Sequence, residues 1–118
     1  AVDLYNTMTI KIPIETKQGV HTLPASSVIA VEAQGRKVVI HTTQRDFESI
    51  RNMQYWLELL PKNCFFQTHR SFIINFEHVT DFDRTLVHMA DEQFHAYLTK
   101  RKYSAFKEAY LLYLDSTR

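Results

Sequence analysis

The sequence predicts a mainly β domain, a β-rich α+β fold of short antiparallel hairpins with one internal helix and one C-terminal helix. Residues 1–118 are expected to form one domain. Three observations carry this expectation. Apolar and polar residues alternate over several short runs, the period of a half-buried strand. Turn-forming clusters separate those runs closely enough for hairpins, as at Lys17-Gln18-Gly19 and Gln34-Gly35-Arg36. Helical spacing dominates in only two places, around Trp56 and from Tyr103 onward. With 45% hydrophobic residues, eight Phe, six Tyr and one Trp, the chain has material for a single core and no disordered tract.

Taken in order, Thr7 to Glu15 reads as a first strand, because Met8, Ile10, Ile12 and Ile14 alternate with polar residues. Pro13 lacks an N–H and points to an edge position. Val20, Thr22 and Leu23 return as the second strand of a hairpin. Pro24-Ala25-Ser26-Ser27 makes a corner, with room for one helical turn. Val28 to Ala33 is a nearly continuous apolar strand broken only by Glu32, and Lys37 to Thr43 returns as a β-branched one. Asp46 or Ser49 is expected to cap a helix running to about Leu60, since Ile50, Met53, Leu57 and Leu60 form a helical stripe widened by Trp56. Pro61-Lys62-Asn63 ends it. Short strands follow at Val79 to Arg84, Leu86 to Met89 and Phe94 to Leu98, for seven to nine strands in all. Thr99 is positioned to cap a final helix whose inner face is Tyr103, Phe106, Tyr110 and Tyr113/Leu114.

Composition narrows the function classes. The formal charge is +1, which permits a nucleic-acid partner without demanding one; a strong footprint would be clustered Lys and Arg. The lone Cys64 forms no intrachain disulfide, consistent with a reducing, cytoplasmic setting, and reads as a small buried filler. No apolar run approaches the roughly 20 residues of a membrane-spanning helix, and no signal peptide opens the chain. The start at Ala1 rather than Met suggests a piece excised from a longer protein. Six histidines are dispersed, with no His-x-x-x-His pair and no Cys partners, so no metal is expected. No Gly-x-Ser-x-Gly elbow appears, the acidic residues are scattered, and Ser71 beside His69 is the one pair that suggests catalysis. The expectation is a non-enzyme without a cofactor.

The informative stretch is Phe65-Phe66-Gln67-Thr68-His69-Arg70-Ser71-Phe72-Ile73-Ile74-Asn75. Apolar runs on both sides anchor it in a core and hold His69, Arg70 and Ser71 out on a fixed turn, where hydrogen-bond donors are free to meet phosphates or base edges. Two further basic clusters lie on turns or element ends, Arg36-Lys37 at a hairpin tip and Lys100-Arg101-Lys102 at a strand-to-helix junction. A helix start adds backbone N–H groups that attract phosphate. Each cluster alone is an ordinary solvated surface; three converging on one face would make a nucleic-acid interface.

The pattern Phe65-x-x-x-His69-Arg70-Ser71-Phe72-Ile73-Ile74-Asn75 resembles the signature of LytTR-type DNA-binding domains. Val28 to Glu32 resembles that family's strand ending in Glu, and Leu98-Thr99-Lys100-Arg101 resembles its C-terminal element; the likeness runs from Thr7 to Leu114. Gln67 stands where the family commonly has Arg, and Thr99 where it often has Ser. The resemblance implies the output domain of a bacterial response regulator in a two-component system, controlling transcription behind a receiver domain that is absent here. It implies binding to double-stranded DNA at paired repeats, as a dimer formed through that receiver, by loops placed in major grooves. On this chain the reading loops would be Gln34 to Lys37, His69 to Ser71 and Thr99 to Lys102. Arg70, Arg101 and either Arg36 or Lys37 suit base edges, because a guanidinium pairs bidentately with guanine. His69, Ser71, Thr99, Lys100 and Lys102 suit phosphates. The alternative is a protein-interaction or ligand-sensing β module with Phe72 and the C-terminal tyrosines as anchors.

Overall fold

The computed structural model describes residues 4–117, with side chains from Asn6. Ten strands lie among these residues, in sheets of two, five and three strands. The five-stranded sheet is central, and its two faces carry two separate cores.

A short helix α1 (Leu4–Met8) leads into β1 (Lys11–Thr16), which pairs with β2 (Gly19–Pro24) as an antiparallel hairpin. A 3-10 turn over Ala25–Ser27 then delivers the chain to β3 (Val28–Gln34). β4 (Lys37–Thr42) and β5 (Asp46–Ser49) extend the central sheet on one side of β3. After helix α2 (Met53–Leu59), the hairpin β6 (Phe65–His69) and β7 (Phe72–Asn75) completes the other side, giving the order β5-β4-β3-β7-β6. A second 3-10 turn, Phe76–His78, opens the three-stranded sheet of β8 (Val79–Phe82), β9 (Leu86–Met89) and β10 (Phe94–Tyr97). A 3-10 turn over Lys100–Lys102 runs into the C-terminal helix α3 (Tyr103–Ser116).

Burial explains why β3 and β7 read as nearly unbroken apolar runs. Ile73 faces the core shared with β1, β2 and α2, whereas Phe72 and Ile74 face the core shared with β8, β9, β10 and α3. On β3 the register shift between Val28 and Ala30 sends Ile29 and Ala30 to the second core while Val28 and Val31 stay in the first. A sheet covered on both faces needs apolar residues at both parities.

Four expectations are corrected. The described residues form ten strands rather than seven to nine, because Asp46–Ser49 is a strand and not the start of a helix. Thr7 and Met8 lie at the end of α1 rather than in a strand, and Ile10 is half exposed, so the apparent alternation with Ile12 and Ile14 holds only from Lys11. The internal helix begins at Met53, not at Asp46. Phe47 and Ser49 are buried while Asp46 and Glu48 face out, and this alternation pairs with β4 as a strand. Ile50 lies outside the helix and is 58% exposed, and Asn52 supplies the cap, its side chain accepting from the Tyr55 N–H at 2.9 Å. Ser49 instead accepts a hydrogen bond from the buried Trp56 indole at 3.0 Å. Finally, Thr99 makes no side-chain cap; it precedes the 3-10 turn, and α3 starts three residues beyond Lys100.

Candidate nucleic-acid interface

The β6–β7 turn is Arg70-Ser71, and it contains no glycine. Two-residue hairpin turns usually need residues at positive φ, yet the non-glycine residues of this kind are Ala90, Asp91 and Glu92, in the β9–β10 turn. The β6–β7 turn is reached differently. The register shifts between Gln67 and His69, which buries Thr68 fully, and the His69 Nδ1 accepts the Ser71 N–H at 3.0 Å. His69 thus shapes the turn that leaves Arg70 exposed.

Backbone bonds then bring the other two loops to this hairpin. The Ala33 N–H donates to the Ser71 carbonyl at 2.8 Å, which sets the β3–β4 tip beside the turn. On the other side, the Thr99 N–H donates to the Thr68 carbonyl at 3.0 Å, and the Lys102 ammonium donates to the Gln67 carbonyl at 3.1 Å. All three basic clusters therefore line one edge of the molecule, with β6 and β7 in the middle. Gln67, His69, Arg70, Thr99, Arg101 and Lys102 enclose a groove of about 400 Å³ between the second and third clusters.

Individual residues differ in how free they are. Arg36, Arg70, Lys100 and Arg101 are exposed and carry no ion pair among the described residues. Lys37 lies 3.9 Å from Glu48. Lys102 is partly buried, and this burial, together with the charge of Arg101, lowers its pKa. The hydroxyls of Thr99 and Thr68 are buried and without a hydrogen-bond partner among the described residues.

Two features of the site are not evident from residue types. His41 on β4 sits between carboxylates of β3 and β5, with Nε2 2.8 Å from Glu32 and Nδ1 3.0 Å from Asp46, and its ring packs on Phe94. Glu32 also accepts from the Gln34 amide at the tip. The hydrogen bonds from His41 and Gln34 thus hold the Glu32 carboxylate against the sheet. Tyr97, 60% exposed, stands against His69 and Phe72 with ring centroids 5.9 and 5.6 Å away. Its outward position follows from strand alternation, since Ala96 and Leu98 are buried.

The LytTr DNA-binding domain profile matches residues 18–111. The chain belongs to the LytTr DNA-binding domain family. Its fold resembles the LytTr DNA-binding domain of a Bacillus cereus protein described as a methyl-accepting/DNA response regulator. That likeness has a TM-score of 0.70 and 27% identity over 84% of this chain and 94% of that one. Among full-length relatives, the transcriptional regulatory protein NatR of Bacillus subtilis is 29% identical over 85% of this chain and 45% of its own length. The sensory transduction protein LytR of Staphylococcus epidermidis is 29% identical over 58% of this chain and 27% of its own length. This LytTr domain thus spans less than half the length of these relatives.

The anchors of the alternative reading are committed elsewhere in this LytTr domain. Phe72 is buried, and Tyr110 and Tyr113 pack at a tilt against Phe76 in the second core. Burial, with a smaller contribution from the Glu77 charge, pushes the Tyr113 hydroxyl up to about 12. The histidines form no cluster of three or more metal-ligating side chains among the described residues, and no helix is long and apolar enough to cross a membrane.

Proposed function

We propose that this LytTr domain binds double-stranded DNA sequence-specifically through its three basic loops, placed in major grooves, as the cytoplasmic output module of a transcriptional response regulator. The observation that carries the reading is the pair of backbone ties at β6 and β7, Ser71 to Ala33 and Thr68 to Thr99, which hold cations from three distant sequence segments along one edge. Arg70 and Arg101, exposed and unpaired, are assigned to base edges. Arg36 takes that role on the first loop, because Lys37 is engaged near Glu48. Phosphate contacts fall to His69, Ser71, Lys100 and Lys102, which fix register without reading sequence, while Thr99, its N–H bonded to Thr68 and its hydroxyl buried, holds the third loop in place. Tyr97 adds an aromatic face beside His69. The module needs no cofactor, and a receiver domain elsewhere in the regulator would bring two copies onto paired repeats and raise avidity through effective concentration.

Fluorescence anisotropy across a salt series tests the assignment. Arg101→Ala should cost about 1–3 kcal/mol on the preferred duplex and relax preference at one base pair. Lys102→Ala should weaken all duplexes alike and reduce the log–log salt slope by about 1. Equal loss on every DNA for Arg101→Ala would remove Arg101 from the base readers.

A further inference from the structure

The backbone ties that gather the three basic clusters continue by one more step. Leu98 and Thr99 are consecutive, and their N–H groups reach to opposite sides. Thr99 donates to the Thr68 carbonyl at 3.0 Å, and Leu98 donates to the Thr85 carbonyl at 2.9 Å. The turn between β8 and β9, Asp83-Arg84-Thr85, therefore abuts the third loop on the side away from β6. Hydrogen bonds fix the shape of this turn. The Asp83 carboxylate accepts the N–H groups of Thr85 and Leu86 at 2.7 and 2.9 Å and the Thr85 hydroxyl at 3.0 Å. These bonds hold the Asp83 carboxyl below the usual carboxylate range and turn it back into the chain. Arg84 at the tip is exposed, carries no ion pair among the described residues, and lies with its guanidinium over the Tyr103 ring at 4.7 Å. Lys107, one helical turn beyond Tyr103 on α3, is likewise exposed and without an ion pair among the described residues. Arg84, Tyr103, Ser104 and Lys107 wall a groove of about 420 Å³ that Glu108 and Leu111 complete.

We propose that Arg84 and Lys107 form a fourth cationic contact, which takes the phosphodiester backbone of bound DNA on the flank beyond the third loop. The inference rests on the DNA reading and lengthens its footprint. Arg36, Arg70, Arg101 and Arg84 then follow one another along the edge, on segments tied in turn by Ala33 to Ser71, Thr68 to Thr99 and Leu98 to Thr85. That continuity selects the occupant, because a duplex lying across the first three loops runs on past the fourth. The contact suits phosphate rather than a base edge. The Arg84 guanidinium is stacked on Tyr103 at a groove wall, and Lys107 shares the groove. Two cations on a fixed wall neutralise a polyanion and set its position without reading sequence. Ser104 adds a hydroxyl donor on the same wall. Among the described residues Glu108 is the one acid lining the groove, and its charge opposes a phosphate there.

Fluorescence anisotropy across a salt series, on a duplex enriched from a randomised pool, reads the contact directly. Arg84→Gln should lower the log–log salt slope by about 1, and Arg84→Gln/Lys107→Gln by about 2, with the preferred sequence unchanged. Arg84→Lys, which keeps the charge, should keep the slope. Glu108→Gln should tighten binding, most at low salt, because it removes the opposing charge. All four variants change exposed residues and should keep the wild-type circular dichroism spectrum. Duplexes trimmed separately at each end should lose the difference between wild type and Arg84→Gln when one end is shortened and retain it when the other is. An unchanged slope in Arg84→Gln/Lys107→Gln, while Arg101→Ala still loses preference at one base pair, would overturn this inference and leave the DNA reading standing. A wild-type chain that binds no duplex at low salt would overturn both.

Discussion

Asn75 closes the stretch that identifies the family, yet the structure gives it a structural task. Its side chain is completely buried. The amide donates to the Val28 carbonyl at 2.8 Å and the Ala25 carbonyl at 3.3 Å, and its oxygen accepts the Glu77 N–H at 2.9 Å. It ties the end of β7 to the start of β3 and to the corner before it, which sets how the two central strands enter the sheet. Asn75→Ala removes three hydrogen bonds and strands their backbone partners, two of which belong to fully buried residues. At about 1 kcal/mol net for each bond, the loss is about 3 kcal/mol, a large part of a typical domain stability of about 5–15 kcal/mol. Urea unfolding followed by Trp56 fluorescence should report this as a lower midpoint with an unchanged slope. The folded fraction should bind DNA as the wild type does, since Asn75 reaches no surface. A loss below about 1 kcal/mol, or a folded variant with impaired DNA binding, would refute the assignment.

Three further outcomes are expected. Trp56→Phe should cost about 2 kcal/mol by circular dichroism, combining the indole bond to Ser49 with the space left in the first core. Arg36→Ala should lower DNA affinity more than Lys37→Ala in parallel titrations, because Lys37 is already shared with Glu48. Burial, aided by the Glu77 charge, pushes the Cys64 thiol up from 9.0 to about 11. The folded-state value is the higher one, so ionisation favours the unfolded chain. This contribution is complete below pH 9.0 and is lost as pH climbs toward about 11. Denaturation midpoints should fall over that window, and Cys64→Ala should flatten part of the decline.

Local chemistry made the fold class and the turn at Arg70-Ser71 legible, because apolar runs on both sides of a polar triplet leave few other arrangements. The resemblance carried the family. The stretch from Asp46 to Asn52 misled because Ile50, Met53 and Leu57 happen to match helical spacing. What decides the stretch is the pairing of Phe47 with Ile40 across β4 and β5, a contact between segments that no local pattern encodes. The beginning of β1 failed for a similar reason, since Met8 and Ile12 reach one core from a helix and a strand respectively. At the site, charge clusters were readable as clusters, but their shared edge depends on the backbone ties from β6 and β7. The His41 bracket was invisible because its carboxylates come from two other strands, whereas Tyr97 was available from alternation alone.

The most direct test is selection from a randomised duplex pool at low and moderate salt, with sequencing of the bound fraction and single-stranded controls. The account predicts salt-sensitive binding to duplex, an enriched motif, and loss of enrichment at one position with Arg101→Ala. Absence of duplex binding at low salt, even from an artificially dimerised chain, would contradict it.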